Sequence, residues 1–200
     1  LKRFATLSRL SFVATLLASS PVAFAETETP TRAYVGIGVG MSHFGYDSGK
    51  CARDTGLTCE IDNKDSTVKL YGGINVTPQA AIELSSYDLG SLTGTVGGLV
   101  QVTEEQSSLA LSVVGGTDAS QPLGFFARFG LHRTDLEASA TGPGGSFSLS
   151  DNASGILFGL GLRADINRNV GVRAEWERLS EAGDAASDID VLSASLRVMF

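Results

Sequence analysis

The residues able to do chemistry in this chain are few, and most of them stand in one pattern. Lys69, Glu83, Arg128, Arg163, Asp165, Arg173, Glu175 and Arg197 are each flanked on both sides by apolar residues. Successive residues of a β-strand face opposite ways, so on strands each of these charges points away from an apolar face. Both signs are present. Gathered in one enclosed space they are expected to pair with one another, because a half-paired buried charge costs on the order of several kcal/mol. The alternative use is a gate, in which Glu83 exchanges partners among Arg128, Arg163 and Arg173 and opens a narrow path.

Nucleophilic catalysis needs a serine beside a histidine base that an acidic residue orients. The chain has two histidines, His43 and His132, and no His-x-Ser arrangement. No catalytic residue is assigned, the protein is expected not to be an enzyme, and His132 reads as an interior hydrogen-bonding group. No metal site and no cofactor are expected. Gly36, Gly38 and Gly40 look like a nucleotide loop only superficially, since no third-spacing glycine, helix or acidic partner follows them. Cys51 and Cys59 share one polar segment, 47–65. In an exported protein a pair this close is expected to form a local disulfide that pins a surface loop, with free thiols and metal binding as the alternatives.

The elements that must position these groups are strands. From Ile156 to Ile166 every even position is apolar, while Gly159, Gly161, Arg163 and Asp165 fill odd ones. Similar alternation runs through 32–44, 65–76, 79–87, 104–115, 123–138, 170–180 and a last stretch ending on Leu192, Ala194, Leu196, Val198 and Phe200. Eight strands with one lipid-compatible face predict an all-β fold, an eight-stranded antiparallel up-and-down transmembrane β-barrel. Its interior is just wide enough for its own side chains. Polar segments at 45–65, 88–104, 139–151 and 179–188 are expected to be long external loops, with short periplasmic turns near Thr77, Thr117 and Asn167. Tyr34, Tyr87, Trp176 and Phe200 are expected in interfacial aromatic girdles.

Lys2, Arg3 and Arg9, an apolar run from Phe12 to Ala18, and Ala23-Phe24-Ala25 read as a secretory signal over 1–25, leaving a barrel domain over 26–200. Its removal takes the formal net charge from −7 to −10, because three basic and no acidic residues precede Glu26. Nucleic acid is therefore not an expected partner. Asp47, Asp54, Glu60, Asp62, Asp151, Glu181, Asp184 and Asp188 should make the external face acidic.

The stretch Tyr71-Gly-Gly-Ile-Asn-Val-Thr-Pro-Gln-Ala-Ala-Ile-Glu-Leu-Ser-Ser-Tyr-Asp-Leu-Gly90 resembles the second and third strands of the OmpA-like transmembrane domain. Phe125 to Arg133 is similar to its fifth strand, and Val172-Arg-Ala-Glu-Trp176 with Arg197-Val-Met-Phe200 to its final hairpin. The resemblance implies the outer membrane of a Gram-negative cell, with membrane lipids and lipopolysaccharide as surroundings. It implies Phe200 as the signal read by the β-barrel assembly machinery, a monomer, and Glu83 and Arg173 in an interior ion-pair cluster. Larger members carry a periplasmic peptidoglycan-binding domain, which is not implied here. Barrels of this size that modify lipid A place catalytic groups at lipid-facing strand ends, and those groups are not found. The role implied is structural and surface-exposed, supporting envelope integrity, with loops open to adhesion and to host or surface ligands. The alternative is a narrow pore or gated channel for small solutes or ions. The cysteine expectation is checked by intact mass: alkylation without reduction should add nothing, and alkylation after reduction should add two labels.

Overall fold

The computed structural model describes residues 32–45, 53, 56, 58–96, 98–142, 145–181 and 188–200. The expected signal segment, Cys51 and the acidic Asp47, Asp54 and Asp184 lie outside the described residues, so the disulfide does too. The strands are β1 (Ala33–Phe44), β2 (Cys59–Asp62), β3 (Lys64–Thr77), β4 (Ala80–Val96), β5 (Val100–Gly116), β6 (Leu123–Gly142), β7 (Gly145–Asp165), β8 (Val170–Glu181) and β9 (Ile189–Met199). Short β2 pairs with the far end of β4 at Thr93–Val96, while β3 pairs with its near end at Ala80–Asp88. Together β2 and β3 occupy one strand position, and the closed ring has eight. Every pairing among the described residues is antiparallel, and of these only the β1–β9 seam joins strands distant in the chain.

Register fixes the girth. Paired positions followed around the ring run His43, Asp190, Arg178, Phe158, Phe129, Val113, Ile82, Ile74 and back to β1 at Ala33. The path returns ten residues below its start, since 43 − 33 = 10. With a rise of about 3.3 Å along strands and a spacing of about 4.8 Å between them, that stagger tilts the strands by about 40° and gives a radius of about 8 Å.

The outer face of β6 shows why the sequence chooses this fold. Leu123, Phe125, Phe129 and Leu131 are all exposed, and only lipid satisfies such a surface. They cover about 20 Å along the axis, close to the roughly 25 Å apolar band of membrane barrels. Beyond Leu131 the same face turns charged, at Arg133, Asp135 and Glu137.

The strands do not stop there. Segments 88–104 and 139–151, expected as loops, are instead the far ends of β4, β5, β6 and β7, joined by short connections. Strand β6 continues past Leu131 to Gly142, which carries it about 28 Å above the apolar band. The reason lies in residue type. Thr93, Thr95, Gln101, Thr103, Ser139 and Thr141 face one way and Val102, Ala138 and Ala140 the other, so the alternation persists at lower contrast. β1 ends at Phe44 and β9 begins at Ile189, so these two strands stop below the ends of β4 to β7.

A bulge marks the transition. Ser107 pairs with Asp88 and Gln106 with Gly90, so Leu89 is the extra residue and its side chain is thrown into the barrel. Gly90 takes φ +79°, and a Cβ there would lie 2.6 Å from Asp65 Oδ2. The Asp65 carboxylate accepts from the Ser91 and Ser66 amides, each at 2.7 Å, and holds the bulge.

At the other end two tyrosines cross the β1–β3 pair. Tyr34 lies over its cross-strand partner Gly73 and Tyr71 over Gly36, and a Cβ on either glycine would overlap the ring. Gly72 faces outward with its nearest neighbour at 3.7 Å. Gly36→Ala should therefore cost about 1–3 kcal/mol by forcing Tyr71 from its seat, while Gly72→Ala should cost much less. Urea unfolding in lipid vesicles followed by tryptophan fluorescence measures both.

Candidate functional site

Inward-facing residues fill the barrel in three layers. At the middle, six charges make one closed ring in which signs alternate. Lys69 Nζ lies 2.9 Å from Glu177 Oε2, Glu177 Oε1 2.6 Å from Arg128 Nη1, and Arg128 Nη2 2.7 Å from Glu83 Oε1. Glu83 Oε2 then lies 2.7 Å from Arg173 Nη1 and Arg173 Nη2 2.8 Å from Glu175 Oε2, and Glu175 returns to Lys69. Arg128 also reaches Glu175 at 3.3 Å. Three cations face three carboxylates, all buried. Each member touches at least two of opposite sign, which offsets the desolvation of burying it.

Hydroxyls complete the coordination. Tyr34 donates to Glu83 at 2.9 Å, Tyr87 to Glu177 at 2.6 Å, and Ser85 and Ser112 accept from Arg128 at 3.0 and 2.7 Å. The Arg173 guanidinium is sandwiched between the rings of Tyr71 and Phe126, at 4.6 and 4.3 Å. Strands β3, β4, β6 and β8 supply the ring, and β4 and β8 stand on opposite sides of the barrel.

Above this ring, towards the tall rim, lies an apolar layer: Phe44, Leu89, Leu157, Leu179, Ile189 and Val191 are 0–1% exposed and touch one another. Below it, at the short-turn end, Tyr34, Tyr71, Ala81 and Met199 form a second apolar cluster beside Arg163, Asp165 and Arg197. Among the described residues, all three layers are filled by buried side chains.

Several expected positions stand elsewhere. Arg163 does not reach Glu83; it donates to the backbone carbonyls of Thr117 and Asp118 at 3.0 and 2.6 Å. Asp165 pairs with Arg197 at 2.6 Å, apart from the central ring. Tyr34 and Tyr87 are not in a girdle, because they share the inward parity of Gly36 and Glu83 and are 3% and 1% exposed. Trp176 does face outward, edge-on to Phe158 at 6.1 Å, and Phe200 is exposed. Glu177 is the ring member that sequence reasoning missed; its parity with Arg173 and Glu175 is the signal that marks it.

The histidines are not brought together. His132 contacts Thr134 Oγ1 at 3.1 Å and the Ser180 carbonyl at 3.3 Å, neither of them a carboxylate that could orient it as a base, and His43 is exposed on the outer face. Among the described residues no group of three His, Cys, Asp or Glu side chains is placed to hold a metal ion.

A family model described as "Outer membrane protein beta-barrel domain" matches residues 10–200. No curated protein matches the chain significantly. Among solved structures, Ail, the attachment invasion locus protein of Yersinia pestis, aligns with TM-score 0.55 at 13% identity, covering 86% of this chain and 100% of that one. Ail has also been solved in complex with the heparin analogue sucrose octasulfate. Neisserial surface protein A aligns with TM-score 0.54 at 15% identity over 84% of this chain and 97% of its own. A major outer membrane protein from Thermus thermophilus gives TM-score 0.56 at 11% identity, with 84% and 99% covered. At these identities the structures share the fold.

The charge ring makes its own prediction. Glu177→Gln leaves Lys69 and Arg128 competing for the remaining carboxylates and should destabilise the barrel by about 3–5 kcal/mol. Adding Lys69→Met restores neutrality and should recover more than half of that loss in the same urea titration.

Proposed function

We infer from the chain's membership of the outer membrane protein beta-barrel domain family, and hence its place in the outer membrane, that it serves as a closed, non-enzymatic surface barrel. Its work is done by the sheet that β2, β4, β5, β6 and β7 raise above the membrane. One observation carries this reading: the interior is filled by charge ring and apolar layers, whereas four strands continue beyond the apolar band at full pairing. A strand run that served only to span the membrane would end near Leu131. The extension presents backbone-rigid side chains to the outside, which lowers the ordering cost of binding relative to a mobile loop.

The raised surface has a definite chemistry. Its outer face is rich in hydroxyls, and the extension carries a groove of about 620 Å³ lined by Glu60, Asp62, Thr93, Thr95, Gln101 and Thr103 together with Gly94 and Val102. Glu105, Asp135 and Glu137 extend the acidic character, against Lys64 and Arg133. The ligand of such a face is neutral or basic. Ail is crystallised with a polysulfated sugar, but a polyanion would meet repulsion here.

The competing reading is a narrow pore for small solutes, gated at Glu83. Liposomes carrying the folded protein should swell in small sugars no faster than empty ones, and rapid swelling would replace the surface reading by the pore. The folded protein should pass through a heparin column at physiological salt, and retention would overturn the assigned ligand class.

A further inference from the structure

Among the described residues, the inward charges below the apolar plug do not balance. Lys69, Arg128, Arg163, Arg173 and Arg197 give five positive charges, and Glu83, Asp165, Glu175 and Glu177 give four negative ones. The central ring is neutral in itself, so the surplus of one falls on the short-turn end, where Arg163 and Arg197 share the single inward carboxylate of Asp165. Arg163 is 3.8 Å from Asp165 Oδ2, while Arg197 holds Oδ1 at 2.6 Å.

The strand register makes the surplus costly. Arg163 and Arg173 are direct cross-strand partners on β7 and β8, the arrangement that places like charges closest. Their neighbours relieve it only in part. Arg163 is steadied by two neutral carbonyls, and the Asp118 carboxylate at that turn, which also attracts Arg163, accepts from the Ser120 amide at 2.8 Å and Gln79 Nε2 at 3.2 Å. Arg173 and Arg197 are 4% and 6% exposed, and each keeps a buried Nε–H with no acceptor among the described residues. A buried donor of this kind, on a charged group, ordinarily finds a partner.

These three guanidiniums line one cavity of about 40 Å³, whose remaining wall is largely apolar: Ala81, Val114, Phe126 and others. That is room for one small ion and too little for a sugar or a polyatomic chain. We propose that this cavity is a binding site for a small monovalent inorganic anion of the chloride class. The anion neutralises the surplus and shields Arg163 from Arg173. The surface role proposed above neither requires nor supplies this site. An ion that binds only the folded barrel stabilises it in proportion to its occupancy, so at ten times its dissociation constant the folded-to-unfolded ratio rises about tenfold.

The test uses the whole folded protein in lipid vesicles, unfolded by urea at constant ionic strength in sodium chloride, bromide or gluconate. Chloride and bromide should raise the folded-to-unfolded ratio saturably, about tenfold, and gluconate, too large for the cavity, should not. Arg163→Gln removes the surplus and should make the three salts equivalent. Crystals soaked in bromide should show an anomalous peak among Arg163, Arg173 and Arg197. Equal responses to chloride and gluconate in the native protein mean screening only, and they overturn the proposal. So does an undiminished chloride response in Arg163→Gln, or bromide density confined to other places.

Discussion

Charges enclosed by a wall of lipid-facing strands must find partners, and the six-membered ring through Lys69, Glu177, Arg128, Glu83, Arg173 and Glu175 is how this barrel meets that demand. The rest of the interior is arranged around it. Three consecutive inward positions of β8 carry members of the ring, so a one-residue slip of that strand would aim Arg173, Glu175 and Glu177 at lipid and turn Trp176 inward. Pairing across the barrel thus fixes register along it. The ring ties β8 to β3, β4 and β6 at one level, a constraint that ladder hydrogen bonds between adjacent strands do not provide.

Above and below the ring the demands differ. The apolar layer at Phe44, Leu157 and Leu179 excludes water from the ring on one side, which strengthens every ion pair within it. The short-turn side is left with arginines in excess and a small cavity. The outer surface follows a separate logic: apolar while it meets lipid, then hydroxyl-rich and acidic where β4 to β7 rise past it. One set of strands therefore carries a packed interior and an exposed sheet on the same continuous ladder.

Much of this was legible in residue order because lipid on one side and crowding on the other give the alternation high contrast. The parity of Leu123, Phe125 and Phe129 against Arg128 placed β6 correctly, and the same reading placed the other strands within the membrane. Contrast falls once water replaces lipid, which is why Thr93, Thr95, Gln101 and Thr103 read as loop. Glu177 was missed because Arg178 follows it and blurs the pattern, and Tyr34 and Tyr87 were misplaced because residue type was weighed above parity. Which charge meets which could not be read at all. Arg163 and Arg173 share a face with Glu83, but partnership depends on stagger and diameter, and those carry Arg163 to the Thr117 and Asp118 carbonyls instead.

The seam between β1 and β9 has a kinetic meaning. Seven of the eight junctions join strand positions adjacent along the chain, and each can zip from its own turn. The last one pairs Phe44 with Ile189, 145 positions apart since 189 − 44 = 145, so the widest sequence separation of any strand pairing among the described residues falls there. Along it β1 offers Gly36, Gly38 and Gly40 to Arg197, Ser195 and Ser193, so mostly small groups face each other where the two edges must meet. The waiting time for a finished ring is the search time of one pair of strands, and whatever keeps those two edges apart keeps the whole cylinder open.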